Sequence, residues 1–265
     1  MSKPLIVIPA RMASKRFPGK PLAEIAGISM IRRTAQIASK TKNAEYVIAT
    51  DHADIEAHCR DFDLPVVMTN PDLPSGSDRA RAAAKLFNAD AEIILNLQGD
   101  APFTDPAHIQ AVLDRLLKND VDIATPAISL SWSALDKLRL DKKTTPFSGT
   151  TVIEKEGRAI WFSKTIIPAI RKERALREAS AHSPILRHVG LYGYRREALE
   201  HFTKLPQSHF EKLEGLEQLR ALENGLSIAV VKVDPPHISS PGIDTKEDLA
   251  RAEALIAKHG DPFFK

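Results

Sequence analysis

The chain has 265 residues, of which 43% are hydrophobic and 27% charged, and its formal net charge is +3. This length suits one large domain or a domain with an appended subdomain. The balanced charge argues against a dedicated nucleic-acid-binding protein, which would carry a basic stripe. The single cysteine, Cys59, excludes an intrachain disulfide. The first apolar run is too short for a signal peptide or a membrane span, so we expect a cytoplasmic protein without membrane insertion.

The first half of the chain alternates strand and helix patterns. Short apolar, β-branched runs predict strands at residues 4–10, 45–51, 65–69, 91–100 and 121–128. Apolar residues at helical spacing predict helices at residues 30–41, 52–63, 77–87 and 106–119. This alternation predicts an α/β fold with a mostly parallel central sheet and helices on both faces.

The second half of the chain has a different pattern. It predicts, in order, a β-hairpin at 150–163, a strand running into a helix at 187–199, a charged helix at 212–225, a strand at 226–234 and a helix at 242–258. Thr245 and Asp248 have the spacing of a capping box at the start of the last helix. We therefore expect a smaller, hairpin-containing subdomain beside the main sheet.

A cationic loop, "PARMASKRFPGKPL", follows the first predicted strand. A run of cations usually marks a solvated surface, and we expect Lys15 to be of that kind. The loop nevertheless lies where parallel sheets bind ligands, beyond the carboxyl end of a strand. We therefore interpret Arg11, Arg16 and Lys20 as ligands for a triphosphate, because arginine binds phosphate oxygens in a bidentate manner.

The loop does not match the Walker P-loop. Ser14 stands where that motif has its first glycine, and Pro21 replaces its serine or threonine. A G-x-G-x-x-G dinucleotide fingerprint is also missing after the first strand. The loop must therefore supply its charge through side chains.

Two aspartates are the candidates for a Mg²⁺ site. Asp100 ends the strongest predicted strand, and Asp244 lies between a strand and the last helix. Mg²⁺ commonly binds one or two carboxylates together with phosphate oxygens of a substrate. The alternatives are a turn aspartate at position 100 and a helix-terminal aspartate at position 244.

Seven motifs in collinear order resemble those of the 3-deoxy-manno-octulosonate cytidylyltransferases, or CMP-KDO synthetases. They are "IPARMASKRFPGKPL", "ATDH", "SGSDR", "NLQGD", "HVGLYGYR", "LEQLR" and "GIDTKEDL", and they extend from about residue 5 to 255. The resemblance implies a nucleotidyltransferase fold of the sugar-nucleotide, GT-A-like type. It also implies Mg²⁺-dependent transfer of CMP from CTP to a 3-deoxy sugar acid, for lipopolysaccharide precursors, by a homodimer.

The resemblance also assigns site residues by position. It implies nucleotide binding by Pro9, Ala10, Arg11, Lys20, Ser75, Gly76 and Ser77. It implies sugar binding by Gln98, Lys164, His188, Tyr192, Glu217 and Gln218. Arg11, Arg16, Lys20 and Asp100 are the expected catalytic residues, and Asp100 and Asp244 the expected metal ligands. Within a single domain of residues 1–265, we expect a CTP-binding half at about 1–130, a sugar-binding and dimerisation region at about 131–240, and the second metal aspartate with the last helix at 241–265.

Three departures from the family pattern leave the acceptor open. Ala101 replaces a glutamate, Lys164 replaces an arginine, and Thr150 and Thr151 stand in a strand that commonly carries lysine. Lysine keeps the charge of arginine but lacks its bidentate fork. KDO is the expected acceptor, and the alternative acceptor is amino-KDO or a sialic-acid-like sugar. The second alternative is that the protein binds nucleotides without catalysis. The alternatives without a binding role are a hydrogen-bonded core histidine at His188, a packing tyrosine at Tyr192 and a solvated helix face for Glu217.

Overall fold

The computed structural model describes residues 2–13, 16–236, 238 and 242–264, so Ser14 and Lys15 lie outside the described residues. The strands in these ranges are β1 Leu5–Ala10, β2 Glu24–Ile25, β3 Ile28–Ser29, β4 Glu45–Thr50, β5 Val66–Met68, β6 Ile93–Asn96, β7 Ile123–Ser131, β8 Thr151–Lys155, β9 Arg158–Ser163, β10 His182–His188, β11 Tyr192–Arg195 and β12 Ile228–Val233. The α-helices are α1 Met30–Ser39, α2 Ala53–Asp61, α3 Gly76–Phe87, α4 Pro106–Leu116, α5 Trp132–Thr144, α6 Glu173–Ala179, α7 Arg196–Phe202, α8 His209–Glu214, α9 Gln218–Glu223 and α10 Lys246–His259. No helix in the described part of the chain combines the length and apolar character needed to cross a membrane.

The main sheet is mixed, and the expectation of a mostly parallel sheet is wrong for its second half. Its described strands run in the order β10-β8-β9-β12-β7-β11-β6-β1-β4-β5. The pairs β6–β1, β1–β4, β4–β5 and β12–β7 are parallel, and the remaining pairs are antiparallel. The physical reason is connection length: β8 and β9 are joined by two residues, and so short a connection permits only antiparallel pairing.

Helices cover both faces of the sheet, as predicted. Alternate side chains of β1 enter different cores, with Leu5 and Val7 on one face and Ile6 and Ile8 on the other. The first face packs against apolar residues of α3, α7 and α9, and the second against those of α1, α2 and α4. The fold of the first half thus follows directly from its apolar pattern.

A third, smaller core lies under the cationic loop. Phe17, Ile25 and Met30 pack there with Ile243 and with residues of α10. Phe17 lies between Arg16 and Lys20 in the sequence, and Ile243 directly precedes Asp244. This core therefore fixes the backbone beside three of the predicted site residues.

The second half contains the predicted elements with altered boundaries. The hairpin is present, but β9 pairs with β12 and β8 with β10, so it extends the main sheet, and the subdomain division stays a prediction. The helix expected at 212–225 is two helices, α8 and α9, because Gly215 has a φ of +61° and ends the first of them. The capping box of Thr245 and Asp248 is confirmed at the start of α10.

A buried ion pair joins the end of β4 to α3. Arg79 is fully buried, its Nη2 lies 2.5 Å from Oδ2 of Asp51, and its Nη1 donates to the Thr69 hydroxyl. Desolvation lowers the pKa of Arg79, and Asp51 opposes that shift. The pair therefore fixes α3 relative to the carboxyl end of the sheet.

We predict that Asp51→Ala destabilises the fold by about 3–5 kcal/mol, because it leaves the Arg79 charge buried without its partner. Urea unfolding of the purified variant measures this loss. Glu178→Ala is the matched control, since it breaks an exposed ion pair with Arg174 and should change the unfolding free energy by less than about 0.5 kcal/mol. Equal effects of the two substitutions would contradict the prediction.

Candidate active site

Three segments that are distant in sequence meet beyond the carboxyl ends of β1 and β6. Nζ of Lys20 lies 2.7 Å from Oδ2 of Asp100 and 3.2 Å from Oδ1 of Asp244. Nη2 of Arg16 lies 2.9 Å from Oδ2 of Asp244. We call these four residues the charged cluster. It unites both aspartates and two of the three cations that the sequence singled out.

A close backbone approach makes the charged cluster possible. A Cβ atom on Gly99 would lie 2.7 Å from the carbonyl oxygen of Pro9, a distance that side chains do not tolerate. Glycine at 99 therefore lets the loop after β6 lie against the end of β1, which brings Asp100 to Lys20. The amide of Ile243 donates to the carbonyl of Asp100 at 2.9 Å and so joins the segment that carries Asp244.

The two carboxylates fit a Mg²⁺ ion that also binds a substrate phosphate. The Asp100 and Asp244 side chains are 33% and 41% exposed, so each carboxylate has a side that faces solvent. Among the described residues, no group of three or more histidine, cysteine, aspartate or glutamate side chains is arranged for a metal. A pair of carboxylates completed by phosphate oxygens and water is a common Mg²⁺ environment.

Arg11 faces a different part of the site. Its guanidinium donates to the carbonyls of Leu73 and Ser75, the second at 3.4 Å. Ser75 caps α3, since its hydroxyl accepts from the amide of Asp78 at 3.1 Å. Arg11 therefore joins the end of β1 to the start of α3, where the predicted nucleotide residues Gly76 and Ser77 lie.

A second set of predicted residues lines the sheet beside the start of α3. Nε2 of Gln98 donates to Oδ1 of Asn96 at 3.3 Å, and Asn96 is the cross-strand partner of Tyr192. A Cβ atom on Gly76 would lie 3.5 Å from Nδ2 of Asn96 and 3.6 Å from Nε2 of Gln98. The start of α3 therefore lies in van der Waals range of these two amides.

His188 is close to Tyr192 and is uncharged at neutral pH. The two ring centroids are 5.3 Å apart, and Nε2 of His188 lies 2.8 Å from Oγ1 of Thr125. Burial lowers the pKa of His188 to about 3 and raises the pKa of Tyr192 well above its usual value. Both side chains are therefore neutral at pH 7, and their rings are in tilted contact.

The start of α9 adds polar atoms to the same region. The hydroxyl of Ser77 donates to Oε2 of Glu217 at 3.4 Å, and burial raises the pKa of that carboxyl. Oε1 of Glu217 and Nε2 of Gln218 are buried and have no hydrogen-bond partner within the described ranges. Buried polar atoms without a partner are costly, so these two are suited to a polar ligand.

Lys164 lies next to the segment between α8 and α9. A Cβ atom on Gly215 would lie 3.2 Å from its Nζ. Its amide donates to Oε2 of Glu214 at 2.9 Å, and its carbonyl accepts from Nζ of Lys142 at 2.5 Å. The backbone of Lys164 is therefore held from both sides.

We use the name polar wall for the six predicted sugar residues and Asn96, namely Gln98, Lys164, His188, Tyr192, Glu217, Gln218 and Asn96; contacts link Gln98 to Asn96, Asn96 to Tyr192 and Tyr192 to His188. Asn96 was not assigned from the sequence, although an asparagine in an otherwise apolar strand is a signal that could have indicated it. Glu214 was also missed, because nothing in a charged helix distinguishes one glutamate. His52 has a structural role, since its Nδ1 accepts from the amide of Asp54 and caps α2.

Comparisons with known proteins identify relatives that match nearly the whole chain. The family model described as "Cytidylyltransferase" matches residues 5–228. A 3-deoxy-manno-octulosonate cytidylyltransferase of Maricaulis maris (strain MCS10) is 44% identical over 260 residues, covering 97% of this chain and 98% of the relative. One from Neisseria gonorrhoeae (strain NCCP11945) is 38% identical over 259 residues, covering 97% and 99%.

Solved structures with a similar fold are also found. A CMP:2-keto-3-deoxy-manno-octonic acid synthetase complexed with CTP superposes with a TM-score of 0.83 at 32% identity, covering 97% of this chain and 99% of the other. A putative glucose-1-phosphate thymidylyltransferase from Bacillus anthracis, with a TM-score of 0.63 at 14% identity, covers 99% and 97% and shares the fold alone. Because the family model matches most of the chain and the relatives are similar over nearly their full length, the chain belongs to the 3-deoxy-manno-octulosonate cytidylyltransferase family.

Proposed function

We propose that this protein transfers CMP from CTP to the 3-deoxy sugar acid KDO and releases pyrophosphate. The observation that carries the proposal is the convergence of Lys20, Asp100 and Asp244, with 2.7 and 3.2 Å between the ammonium and the two carboxylates. Relatives at 38–44% identity carry the name of this activity, and the matching solved synthetase binds CTP. A homodimer, a cytoplasmic location and a role in lipopolysaccharide precursor synthesis remain predictions.

The nucleotide is bound between the end of β1 and the start of α3. Arg11 lies against this helix start, and Ser75, Gly76 and Ser77 form its first turn, so we assign the cytosine to this side. Arg16 and Lys20 on the other side face the triphosphate. Pro9 and Ala10, which we assign to the nucleotide site, are the last two residues of β1 and directly precede Arg11.

Asp100 and Asp244 would hold Mg²⁺, which when bound would neutralise phosphate charge and lower the pKa of the attacking hydroxyl. The anomeric hydroxyl of the acceptor loses its proton to solvent and attacks the α-phosphorus, the bond from the α-phosphorus to the oxygen that bridges to the β-phosphorus breaks, and pyrophosphate leaves. Lys20 and Arg16 stabilise the negative charge that develops on the leaving group, because charge-assisted contacts in a fixed site are stronger than contacts with water.

The polar wall binds the sugar acid. Oε1 of Glu217 and Nε2 of Gln218 provide an acceptor and a donor for sugar hydroxyls. Lys164 provides a positive charge for the carboxylate of the acceptor. Gln98 lies two residues from Asp100, so the polar wall continues directly into the charged cluster.

We predict pyrophosphate release when the protein is mixed with CTP, Mg²⁺ and KDO. A coupled assay measures it for KDO, amino-KDO and a nine-carbon sialic acid, with acceptor-free reactions as the control. Release with KDO supports the proposal. Release only with another acceptor would identify a different sugar acid, and CTP binding without release for any acceptor would favour the non-catalytic alternative.

We predict that Asp100→Asn lowers kcat by about a hundredfold or more, because transition-state charge loses its stabilisation, while the Kd for CTP changes far less. Steady-state kinetics and calorimetric CTP titration measure the two quantities. Asp114→Asn, an exposed aspartate on α4, is the matched control and should leave both unchanged. Near-normal turnover of Asp100→Asn would remove Asp100 from the mechanism.

We predict that the neutral state of His188 costs stability in acid. Its pKa is about 3 in the fold and about 6.5 in the unfolded chain, so below pH 6.5 the unfolded state binds the extra proton and the stability falls. Between pH 7 and pH 5 the wild type should lose about 1–2 kcal/mol more than His188→Gln, as measured by urea unfolding at both pH values. His201→Gln, an exposed histidine on α7, is the control. Parallel pH dependence of the wild type and His188→Gln would refute a neutral His188.

A further inference from the structure

The ammonium of Lys20 lies between the two carboxylates that we assign to Mg²⁺. It is 2.7 Å from Asp100 and 3.2 Å from Asp244, and the other oxygen of Asp244 accepts from Arg16 at 2.9 Å. The Lys20 side chain is only 13% exposed, whereas both carboxylates are more open to solvent. The lysine thus fills the inner position between the aspartates, and the outer sides of the aspartates face water.

The charged cluster is balanced without any further ion. Two cationic side chains face two carboxylates, so the formal charge of the four residues sums to zero. A divalent ion that approaches both aspartates meets the Lys20 ammonium at close range, where like charges repel by several kT even at a high effective dielectric constant. The carboxylate oxygens that face inward already accept hydrogen bonds from Lys20. Free divalent ions therefore meet a site in which a competing cation is already bound.

The stem of Lys20 is able to move, while its starting point is fixed. The lysine side chain is a flexible chain with a point charge at its tip. The backbone at its base is held by Gly19, which has a φ of +74° and donates to the carbonyl of Met12, and by buried Phe17 and Pro21. The tip can therefore change partners without movement of the loop.

We propose that Lys20 is an exchangeable plug in the cation site, which keeps free divalent ions out until a nucleotide arrives. This inference rests on the proposed function, because the triphosphate is the group that draws the ammonium away from Asp100 and Asp244. The divalent ion then enters together with the nucleotide. The same lysine acts first as a substitute for the ion and then as a ligand of the phosphates.

The test measures Mn²⁺ binding directly, without nucleotide or acceptor, from the free-ion signal in electron paramagnetic resonance. Lys20→Met removes the ammonium and keeps the length of the side chain. We expect it to bind Mn²⁺ about tenfold or more tightly than the wild type. Adding Asp100→Asn to Lys20→Met should abolish the gain, which locates the ion at the carboxylates.

Lys118→Met, an exposed lysine, is the matched control and should bind Mn²⁺ as the wild type does. Thermal unfolding verifies that each variant is folded. If Lys20→Met is not folded, Lys20→Gln is used in its place. Equal Mn²⁺ affinity of the wild type and the folded Lys20 variant would overturn the proposal.

A second titration tests the exchange of partners. The Mn²⁺ titration is repeated on protein saturated with α,β-methylene CTP, which cannot release pyrophosphate. Under these conditions the higher Mn²⁺ affinity of Lys20→Met relative to the wild type should disappear or reverse. An advantage that persists at full size would mean that Lys20 stays between the carboxylates, and the proposal would be wrong.

These measurements are independent of turnover. If the Lys20 variant gains Mn²⁺ affinity but the wild type releases no pyrophosphate, the plug proposal is supported and the proposed function is contradicted. If the wild type releases pyrophosphate but the Lys20 variant gains no Mn²⁺ affinity, the proposed function is supported and the plug proposal is contradicted.

Discussion

The close contact between the loop after β6 and the end of β1 is the constraint on which the site depends. A side chain at Gly99 would meet the carbonyl of Pro9 at 2.7 Å, so only glycine permits this contact. The contact sets the position of Asp100, and the backbone bond from Ile243 to Asp100 then sets that of Asp244. Lys20 reaches both aspartates from the opposite loop. The side-chain contacts of the charged cluster thus depend on the backbone contact between Gly99 and Pro9.

The first half of the fold could be predicted from the sequence because its elements are local. The apolar runs that form β1, β4 and β6 and the amphipathic helices between them carry their own period, and the structure has them within a few residues of the expected bounds. The mixed character of the sheet could not be predicted in this way. Strand β11 is antiparallel to both β6 and β7, and that pairing is a long-range property that leaves no mark on its four residues.

The candidate site shows the same division. Lys20, Asp100 and Asp244 were singled out by residue type and by their place after strands, and they do converge. Their mutual bonding could not be foreseen, since 224 residues separate the lysine from Asp244. Asn96 and Glu214 escaped notice because their importance lies in the neighbours that folding brings to them. The assigned roles of all these residues remain predictions that the proposed variants address.

The replacement of arginine by Lys164 becomes intelligible when its surroundings are considered together. An arginine binds a carboxylate with a fork whose geometry is built into the guanidinium, whereas a lysine must be positioned by its environment. Here Glu214 holds the amide of Lys164 and Lys142 holds its carbonyl. Gly215 leaves the ammonium just enough room, with 3.2 Å to the place where a Cβ would stand. Gly215 also ends α8 and so starts the turn toward Glu217 and Gln218. The end of α8 and the space around the Lys164 ammonium therefore depend on the same residue, Gly215.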